Sequence, residues 1–201
     1  MEQQTVTETK AGLNVTMSAR TPLLAACNPK GGKLYRSDSF EDSVKMIPEA
    51  TLSRFDLIYF LEDVENYDKD VELAKMLLHP KQPDLHSDLS ERICKYIAYS
   101  KREFSPEITT GAEELLTHYF GKIRQAKLGI DDGKPITPRD FMALKRLSIS
   151  IARIRLSNHV DIDDALYAIN VFEKSLKTHG SYVNVEFDPS QLELPKECMS
   201  T

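Results

Sequence analysis

Three residues have types and positions suited to binding a charged ligand. Asn28 ends an apolar run and is followed by Pro29, which would hold its amide at the carboxyl edge of a sheet, where ligands of α/β proteins gather. Arg54 directly precedes a second apolar run. Arg139 is the second residue of a predicted helix, where free backbone N–H groups and the helix dipole already favour anions. Since a guanidinium can bind phosphate through two hydrogen bonds, the two arginines are candidate anion-binding residues.

Each of these residues also has an ordinary structural explanation. Asn28 could form the turn that ends a strand. Arg54 could make a local salt bridge with Asp56 or Glu62, and Arg139 could be a surface arginine. Residue types and spacing alone leave these alternatives open.

Two segments resemble nucleotide-binding motifs without completing them. The stretch Gly129-x-x-x-Gly133-Lys134-Pro135 is one residue shorter than a phosphate loop, has proline where serine or threonine would hold magnesium, and follows a helix instead of a strand. We interpret it as a linker turn. Residues 57–63 resemble a strand that ends in a magnesium-binding acid pair, but a solvated strand end explains these acids better. The histidines, serines and cysteines show no spacing typical of a metal site or a nucleophile.

The composition indicates a globular intracellular protein. Of 201 residues, 41% are hydrophobic and 28% are charged, which excludes collagen-like, low-complexity and wholly disordered chains. The longest apolar runs, such as residues 57–61, are far shorter than the ~20 residues that cross a membrane. The three cysteines are widely spaced, as expected in a reducing compartment. The net charge is −5, so any contact with nucleic acid must come from a local basic patch.

The elements that would position these residues begin with β-like segments. Residues 5–7 and 13–17 alternate in polarity around Lys10-Ala11-Gly12, which predicts a β-hairpin with Lys10 near its tip. Residues 23–27 and 57–61 are apolar on both faces, which favours buried strands of a helix-covered sheet.

After residue 68 the apolar residues recur with a helical period. We expect a short helix over residues 70–78 and a second helix that includes residues 89–97, followed by three more helices. Their N-terminal caps are predicted at Thr110 with Glu113, at Thr137 with Pro138, and at Asp161 with Asp164. Their buried faces are predicted to be, in order, Leu115, Leu116, Tyr119, Phe120 and Ile123; Phe141, Leu144, Leu147, Ile151 and Ile154; and Ile162, Ala165, Ile169, Phe172 and Leu176.

Seven short motifs follow one another in an order that is more specific than any one of them. They are Met1-Glu2-Gln3-Gln4-Thr5, Lys10-Ala11-Gly12, Ala19-Arg20, Leu24-Ala25-Ala26-Cys27-Asn28-Pro29, Leu52-Ser53-Arg54-Phe55-Asp56-Leu57-Ile58, Tyr96-Ile97-Ala98-Tyr99 and Ile136-Thr137-Pro138-Arg139. Together they resemble the second half of the ATPase core of minichromosome maintenance (MCM) replicative helicases, which belong to the AAA+ class. The resemblance runs from Met1 to about Lys177.

The resemblance implies an α/β fold, in which the second half of an AAA+ P-loop-type sheet (a β-hairpin plus sheet strands) is followed by an α-helical lid bundle. It assigns residues 1–67 to a partial AAA+ core and residues 68–179 to a linker and the helical lid. Residues 180–201 are expected to form a loosely ordered tail.

The resemblance also implies a role for each matching residue. Lys10 would lie at the tip of the pre-sensor-1 hairpin, which projects into the central channel and touches the DNA backbone. Asn28 would be sensor 1, which senses the γ-phosphate and orients the attacking water. Arg54 would be the arginine finger and Arg139 sensor 2, both acting at the nucleotide site of a neighbouring subunit. Gln3 would make a further contact in trans.

On this basis we expect a subunit of a hexameric, ATP-dependent DNA helicase that acts in DNA replication. Its expected partners are other MCM subunits and DNA in the central channel, and we expect no membrane partner. ATP with Mg²⁺ would be shared at a subunit interface. In the family, the phosphate loop (Walker A) and the Asp-Glu metal site (Walker B) precede the Met-Glu-Gln-Gln segment. We therefore expect a truncated subunit that is inactive alone and does not carry the Mg²⁺ ligands.

The alternative is a non-enzymatic, truncated MCM-like interaction protein that binds or caps an MCM ring. A related AAA+ loader fits less well, because the Gln-Gln-Thr and Lys-Ala-Gly motifs are MCM features. The expected location is intracellular, either the nucleus of a eukaryote, which Arg155-Leu156-Ser157-Asn158 favours, or the cytoplasm of an archaeon.

Overall fold

The computed structural model describes residues 5–10, 12–19, 21–29, 40–62, 65–79, 88–130 and 133–185. These residues form a mixed α/β fold with two small sheets and several helices, as predicted. The elements are β1 (Thr5–Lys10), β2 (Leu13–Ser18), α1 (Phe40–Val44), α2 (Glu49–Leu52), α3 (Tyr67–Leu78), α4 (Asp88–Glu103), β3 (Glu107–Ile108), α5 (Thr110–Ala126), α6 (Pro138–Ile154), β4 (His159–Val160) and α7 (Ile162–Thr178). Within these ranges, none of the helices is long and apolar enough to cross a membrane.

Strands β1 and β2 form the predicted hairpin. They pair antiparallel from Thr5 with Ser18 to Lys10 with Leu13, so Lys10 lies beside the turn. Gly12 has a φ of 83°, a left-handed conformation that such a turn needs and that glycine adopts without steric cost. The residues of both strands are exposed along their whole length. The hairpin is therefore accessible to a partner on either face.

The prediction of a buried strand over residues 23–27 is wrong. These residues form neither helix nor strand, and Leu24 is 99% exposed. A strand is held by hydrogen bonds to a neighbouring strand, and no other part of the described chain pairs with this run.

Residues 57–61 do not form the predicted strand either, but their backbone is hydrogen-bonded to α7. The Ile58 N–H donates to Ser175 Oγ (3.0 Å), and the Ser175 hydroxyl donates to the Ile58 carbonyl (2.6 Å). The Phe60 N–H donates to Thr178 Oγ1 (3.1 Å). Hydroxyl groups of α7 therefore satisfy backbone groups that a neighbouring strand would satisfy in a sheet.

Helices α5, α6 and α7 enclose the core. The predicted inner faces of α5 and α7 are confirmed, and their most deeply buried members are Leu115, Leu116, Tyr119, Ile123, Ala165, Phe172 and Leu176. Helix α4, which confirms the prediction over residues 89–97, is tied to this bundle by the Tyr96 hydroxyl, which donates to the Ile154 carbonyl at the end of α6.

The predicted inner face of α6 is wrong at its C-terminal end. Ile154 is 64% exposed, and the buried positions facing the core are Ala143, Leu144, Ser148 and Ala152. Three of these four side chains are small, which lets α6 and α7 pack closely. The Ser148 hydroxyl donates to the Leu144 carbonyl (3.0 Å), so its burial leaves that group satisfied.

A short parallel sheet of β3 and β4 brings the N-termini of α5 and α7 to the same end of the bundle. It also moves the predicted start of α5. Thr109 is the N-cap, because its hydroxyl donates to the Val160 carbonyl (2.7 Å) and accepts from the Ala112 N–H (3.4 Å). The prediction of Thr110 with Glu113 as the capping box is therefore wrong by one residue, whereas the caps of α6 and α7 are confirmed.

The first residues of the predicted tail are packed, not loosely held. Gly180, with a φ of 69°, ends α7 in a left-handed turn. Ser181 is fully buried, and its hydroxyl oxygen accepts from the Lys134 N–H (2.8 Å). Tyr182 and Val185 also pack against the hydrophobic core. Residues 186–201 lie outside the described residues.

Candidate functional site

Arg54 lies at the surface directly after α2. Its side chain is exposed, and Nη1 donates to the Ala50 carbonyl (3.0 Å) in that helix. A charged phosphate oxygen is a stronger partner for a guanidinium than this neutral carbonyl. The arginine predicted to bind an anion is thus accessible from outside the chain.

Arg139 lies in the first turn of α6, and its side chain reaches the residue before Arg54. Its Nη1 donates to Ser53 Oγ (2.8 Å), and the side chain is exposed. The structure therefore brings together two predicted site residues that are far apart in the sequence. We call the surface formed by Ser53, Arg54 and Arg139 the arginine surface.

Asp56, two residues after Arg54, is bound by Arg146 of α6. The Arg146 Nε donates to Oδ2 (2.9 Å) and Nη2 donates to Oδ1 (2.5 Å), which makes the pair bidentate. The hydrogen bonds to Asp56 raise the pKa of Arg146, so the guanidinium stays charged. Asp56, one of the two carboxylates considered as a local partner of Arg54, is thus paired with Arg146.

Sequence reasoning missed Ser53 and Arg146 as parts of this site. A signal for Arg146 does exist, since it follows Arg139 by two helical turns and therefore lies on the same face of α6. No comparable signal connects Asp56 to Arg146, because their contact depends on how the segment after α2 packs on α6.

The Asp140 carboxylate caps the N-terminus of α6 from the inner side. It accepts hydrogen bonds from Lys134 Nζ (2.5 Å), from the Thr137 N–H (2.7 Å) and from the Thr137 hydroxyl (2.9 Å). Lys134 is 8% exposed and Asp140 3% exposed, so this ion pair is buried. Lys134, the lysine of the segment that resembles a phosphate loop, is therefore paired with Asp140. The same segment packs closely on the residues after α7, because a Cβ on Gly133 would lie only 2.5 Å from Ser181 Oγ. The pairing of Lys134 supports the interpretation of the segment as a linker turn.

The remaining predicted site residues take no part in these contacts. Asn28 is exposed within the stretch 21–29, which has no regular secondary structure, and Lys10 is exposed on the hairpin. Gln3 lies outside the described residues. Among the residues that the structure describes, no group of three or more His, Cys, Asp or Glu side chains could hold a metal ion.

The sequence matches two family models. Residues 1–81 match the MCM P-loop domain, and residues 91–176 match the MCM AAA-lid domain. The chain belongs to the minichromosome maintenance (MCM) family. The P-loop match contains Ser53 and Asp56, and the lid match contains their partners Arg139 and Arg146. The arginine surface and the neighbouring ion pair therefore join the two MCM domains.

Curated MCM relatives come from archaea, animals and plants. The minichromosome maintenance protein MCM of Saccharolobus solfataricus is 37% identical over 90% of this chain and 26% of the relative. The maternal DNA replication licensing factor mcm6 of Xenopus tropicalis is 36% identical over 88% of the chain and 22% of the relative. The DNA replication licensing factor MCM7 of Arabidopsis thaliana is 34% identical over 88% and 26%. The chain thus spans about a quarter of the length of these relatives.

Proposed function

We propose that this chain presents Arg54 and Arg139 to ATP held by a neighbouring MCM subunit, within a hexameric, ATP-dependent helicase that acts in DNA replication. The observation that carries the proposal is the hydrogen bond from Arg139 to Ser53, since it places the lid arginine beside Arg54 on an exposed surface. The names of the relatives, one MCM protein and two DNA replication licensing factors, support the process.

The chemistry of both side chains suits a triphosphate that approaches from outside. Arg54 and Arg139 are both exposed, and a guanidinium binds phosphate oxygens through charge-assisted hydrogen bonds. An arginine supplied in trans neutralises charge that develops in phosphoryl transfer and is worth about 10³–10⁵ in rate. Arg139 lies in the first turn of α6, where the positive end of the helix dipole also attracts an anion.

Bound ATP and Mg²⁺ would supply the triphosphate and the metal charge, with the Mg²⁺ ligands coming from the neighbouring subunit. From this chain, Arg54 as finger, Arg139 as sensor 2 and Gln3 as a further trans contact would face that nucleotide, and Asn28 would act as sensor 1. Lys134 would take no part, because it is buried against Asp140.

The hairpin of β1 and β2 would contact DNA in the central channel through Lys10. Lys10 lies beside the turn of a hairpin whose residues are all exposed. A lysine there binds phosphate by charge alone, so the contact would not depend on base sequence.

The domain division and the location belong to the same proposal. Residues 1–67 would act as part of the AAA+ core, residues 68–179 as linker and lid, and the rest as a tail. The chain would work where MCM rings work, in the nucleus of a eukaryote or in the cytoplasm of an archaeon.

Stimulation of ATP hydrolysis tests the proposal. The chain is mixed with an MCM subunit that has an intact phosphate loop but alanine in place of its own finger and sensor 2 arginines. Wild-type chain should restore turnover, and Arg54→Ala should lower that stimulation about 1,000-fold. Arg102→Ala, which removes an exposed arginine of α4, should stimulate like the wild type. Stimulation by Arg54→Ala equal to that by the wild type refutes the proposed role of Arg54.

A second candidate function is an interaction protein that caps an MCM ring without supporting turnover. The observation that favours it is the exposure of large apolar side chains in the part that matches the P-loop domain, namely Leu24, Leu61, Leu77 and Leu78. Contiguous exposed apolar side chains often mark protein–protein interaction sites, and Leu77 and Leu78 are neighbours in the sequence. Under this alternative, adding the chain to an assembled MCM helicase should lower DNA unwinding, whereas under the first proposal it should sustain it.

A further inference from the structure

The segment that carries Arg54 has little structure of its own. It follows α2, a helix of one turn without buried residues, and forms no regular element before residue 62. Its first residues are tied to α2, because the N–H groups of Ser53, Arg54 and Phe55 donate to carbonyls of that helix. Further hydrogen bonds join the segment to α6 at Ser53 and Asp56 and to α7 at Ile58. The position of Arg54 therefore depends on α2 before it and on how the residues after it pack against α6 and α7.

The two contacts with α6 lie on either side of Arg54. Arg139 binds Ser53, and Arg146, two turns further along, binds Asp56. The rise of a helix separates the two α6 positions by about 10 Å along the axis. Since a helix is stiff over this distance, Arg146 holds Asp56, two residues after Arg54, at a fixed distance from Arg139.

We propose that Asp56 and Arg146 are positioning residues whose ion pair fixes Arg54 relative to Arg139, so that both guanidinium groups reach one triphosphate together. This inference rests on the proposed function. It gives α6 two tasks, because the helix carries one of the arginines and also determines the place of the other.

Bidentate geometry is what this task requires. Two parallel N–H···O bonds fix the direction of the carboxylate as well as its distance, which a lysine ammonium does not do. The Asp56 and Arg146 side chains are 41% and 53% exposed, and pairs this exposed add little to stability. Loss of the pair should therefore affect turnover far more than folding, which separates a positioning role from a structural one.

The test uses the same stimulated ATPase assay with the full chain. Arg146→Gln should lower the maximal stimulated rate about 100-fold, as a displacement of about 1 Å can do, while the chain concentration for half-maximal stimulation changes little. The charge-swapped double variant Asp56→Arg with Arg146→Asp should recover most of this loss. Lys145→Gln, which removes an exposed positive charge from the adjacent position of α6, should leave the rate unchanged.

A second measurement does not depend on activity. In the isolated chain, Arg146→Gln should speed amide hydrogen exchange at Ile58, while exchange in the core of α5 and α7 stays at the wild-type rate. Should Arg146→Gln fail to fold, Arg146→Lys keeps the charge without the planar fork of donors, and it should still lower the stimulated rate.

The outcomes separate this inference from the proposed function. If Arg54→Ala abolishes stimulation while folded Arg146→Gln stimulates like the wild type, the positioning role is refuted and the proposed function stands. If Arg54→Ala has no effect, the proposed function fails. A charge-swapped variant that is folded but recovers nothing shows that the ion pair is not the cause.

Discussion

The buried ion pair between Lys134 and Asp140 offers a test of how the N-terminus of α6 is held. Asp140→Asn keeps the side-chain shape and an acceptor for the Thr137 N–H, but it leaves the Lys134 ammonium, 8% exposed, without a counter-ion. Removing one partner of a buried pair costs about 3–5 kcal/mol. Because the amide oxygen still accepts a hydrogen bond, we expect a loss near the lower limit, about 3 kcal/mol.

Removal of the other partner, Lys134, should cost less stability. Lys134→Met leaves the Asp140 carboxylate with both Thr137 donors, at the positive end of the α6 dipole. We expect a loss of about 1.5 kcal/mol, the lower limit for one lost hydrogen bond to a charged group, because the carboxylate keeps both Thr137 donors. The double variant should be more stable than Asp140→Asn alone, since neither charge is then buried without a partner.

Urea denaturation at pH 7, followed by circular dichroism, measures these differences. With a slope of about 2 kcal/mol per M, a loss of 3 kcal/mol moves the midpoint by about 1.5 M. Equal losses for the two single variants would refute the reasoning, because the asymmetry follows from the hydrogen bonds that remain to each charge. A double variant whose loss is the sum of the two single losses would show that Lys134 and Asp140 are not coupled.

Other substitutions test helix ends and the linker turn. Burial lowers the pKa of His179 from 6.5 to about 4, so between these pH values the unfolded chain binds a proton that the folded chain does not. The free energy of unfolding should therefore fall by up to about 3 kcal/mol as the pH drops through this range. In His179→Gln this pH dependence should be absent, so the urea midpoint should fall less between pH 7 and pH 5 than it does in the wild type. Leu156 has a φ of 59°, so Leu156→Gly should raise stability by up to about 1 kcal/mol, whereas a lower thermal midpoint would mean that the lost leucine contacts outweigh the relieved strain. Gly133→Ala should cost about 2–4 kcal/mol, because its φ is 82° and its Cβ would lie 2.5 Å from Ser181 Oγ. Gly129→Ala, with a φ of 80° but no atom within 4 Å of the new Cβ, should cost only about 1 kcal/mol, and equal losses at the two glycines would contradict the predicted clash.

Helix positions and most helix ends could be predicted from the sequence, because they depend on neighbours along the chain. The caps at Thr137 and Asp161 are confirmed, and the inner faces of α5 and α7 follow the apolar period. The cap of α5 is displaced to Thr109 because β4, which comes much later in the sequence, accepts a hydrogen bond from its side chain. Ile154 is exposed because small residues, not the largest apolar ones, face α7.

The candidate site could be predicted only in part. Residue types and motifs indicated Arg54 and Arg139 separately, and their assigned roles stay predictions. That they meet through Ser53, and that Asp56 is bound by Arg146, could not be inferred from spacing. These contacts join residues of the P-loop match to residues of the lid match, and no local pattern records such a pairing.

By itself, the sequence determined the hairpin, the helices of the bundle and membership of the MCM family, since turn residues, periodicity and motifs are all read along the chain. The tertiary structure decided that residues 57–61 bind hydroxyl groups of α7, that Lys134 is buried, and that two distant arginines share one surface. The physical reason is that hydrogen bonds and ion pairs form between whichever polar groups packing brings within about 3 Å. That proximity follows from how the helices pack together, not from the order of residues within any one of them.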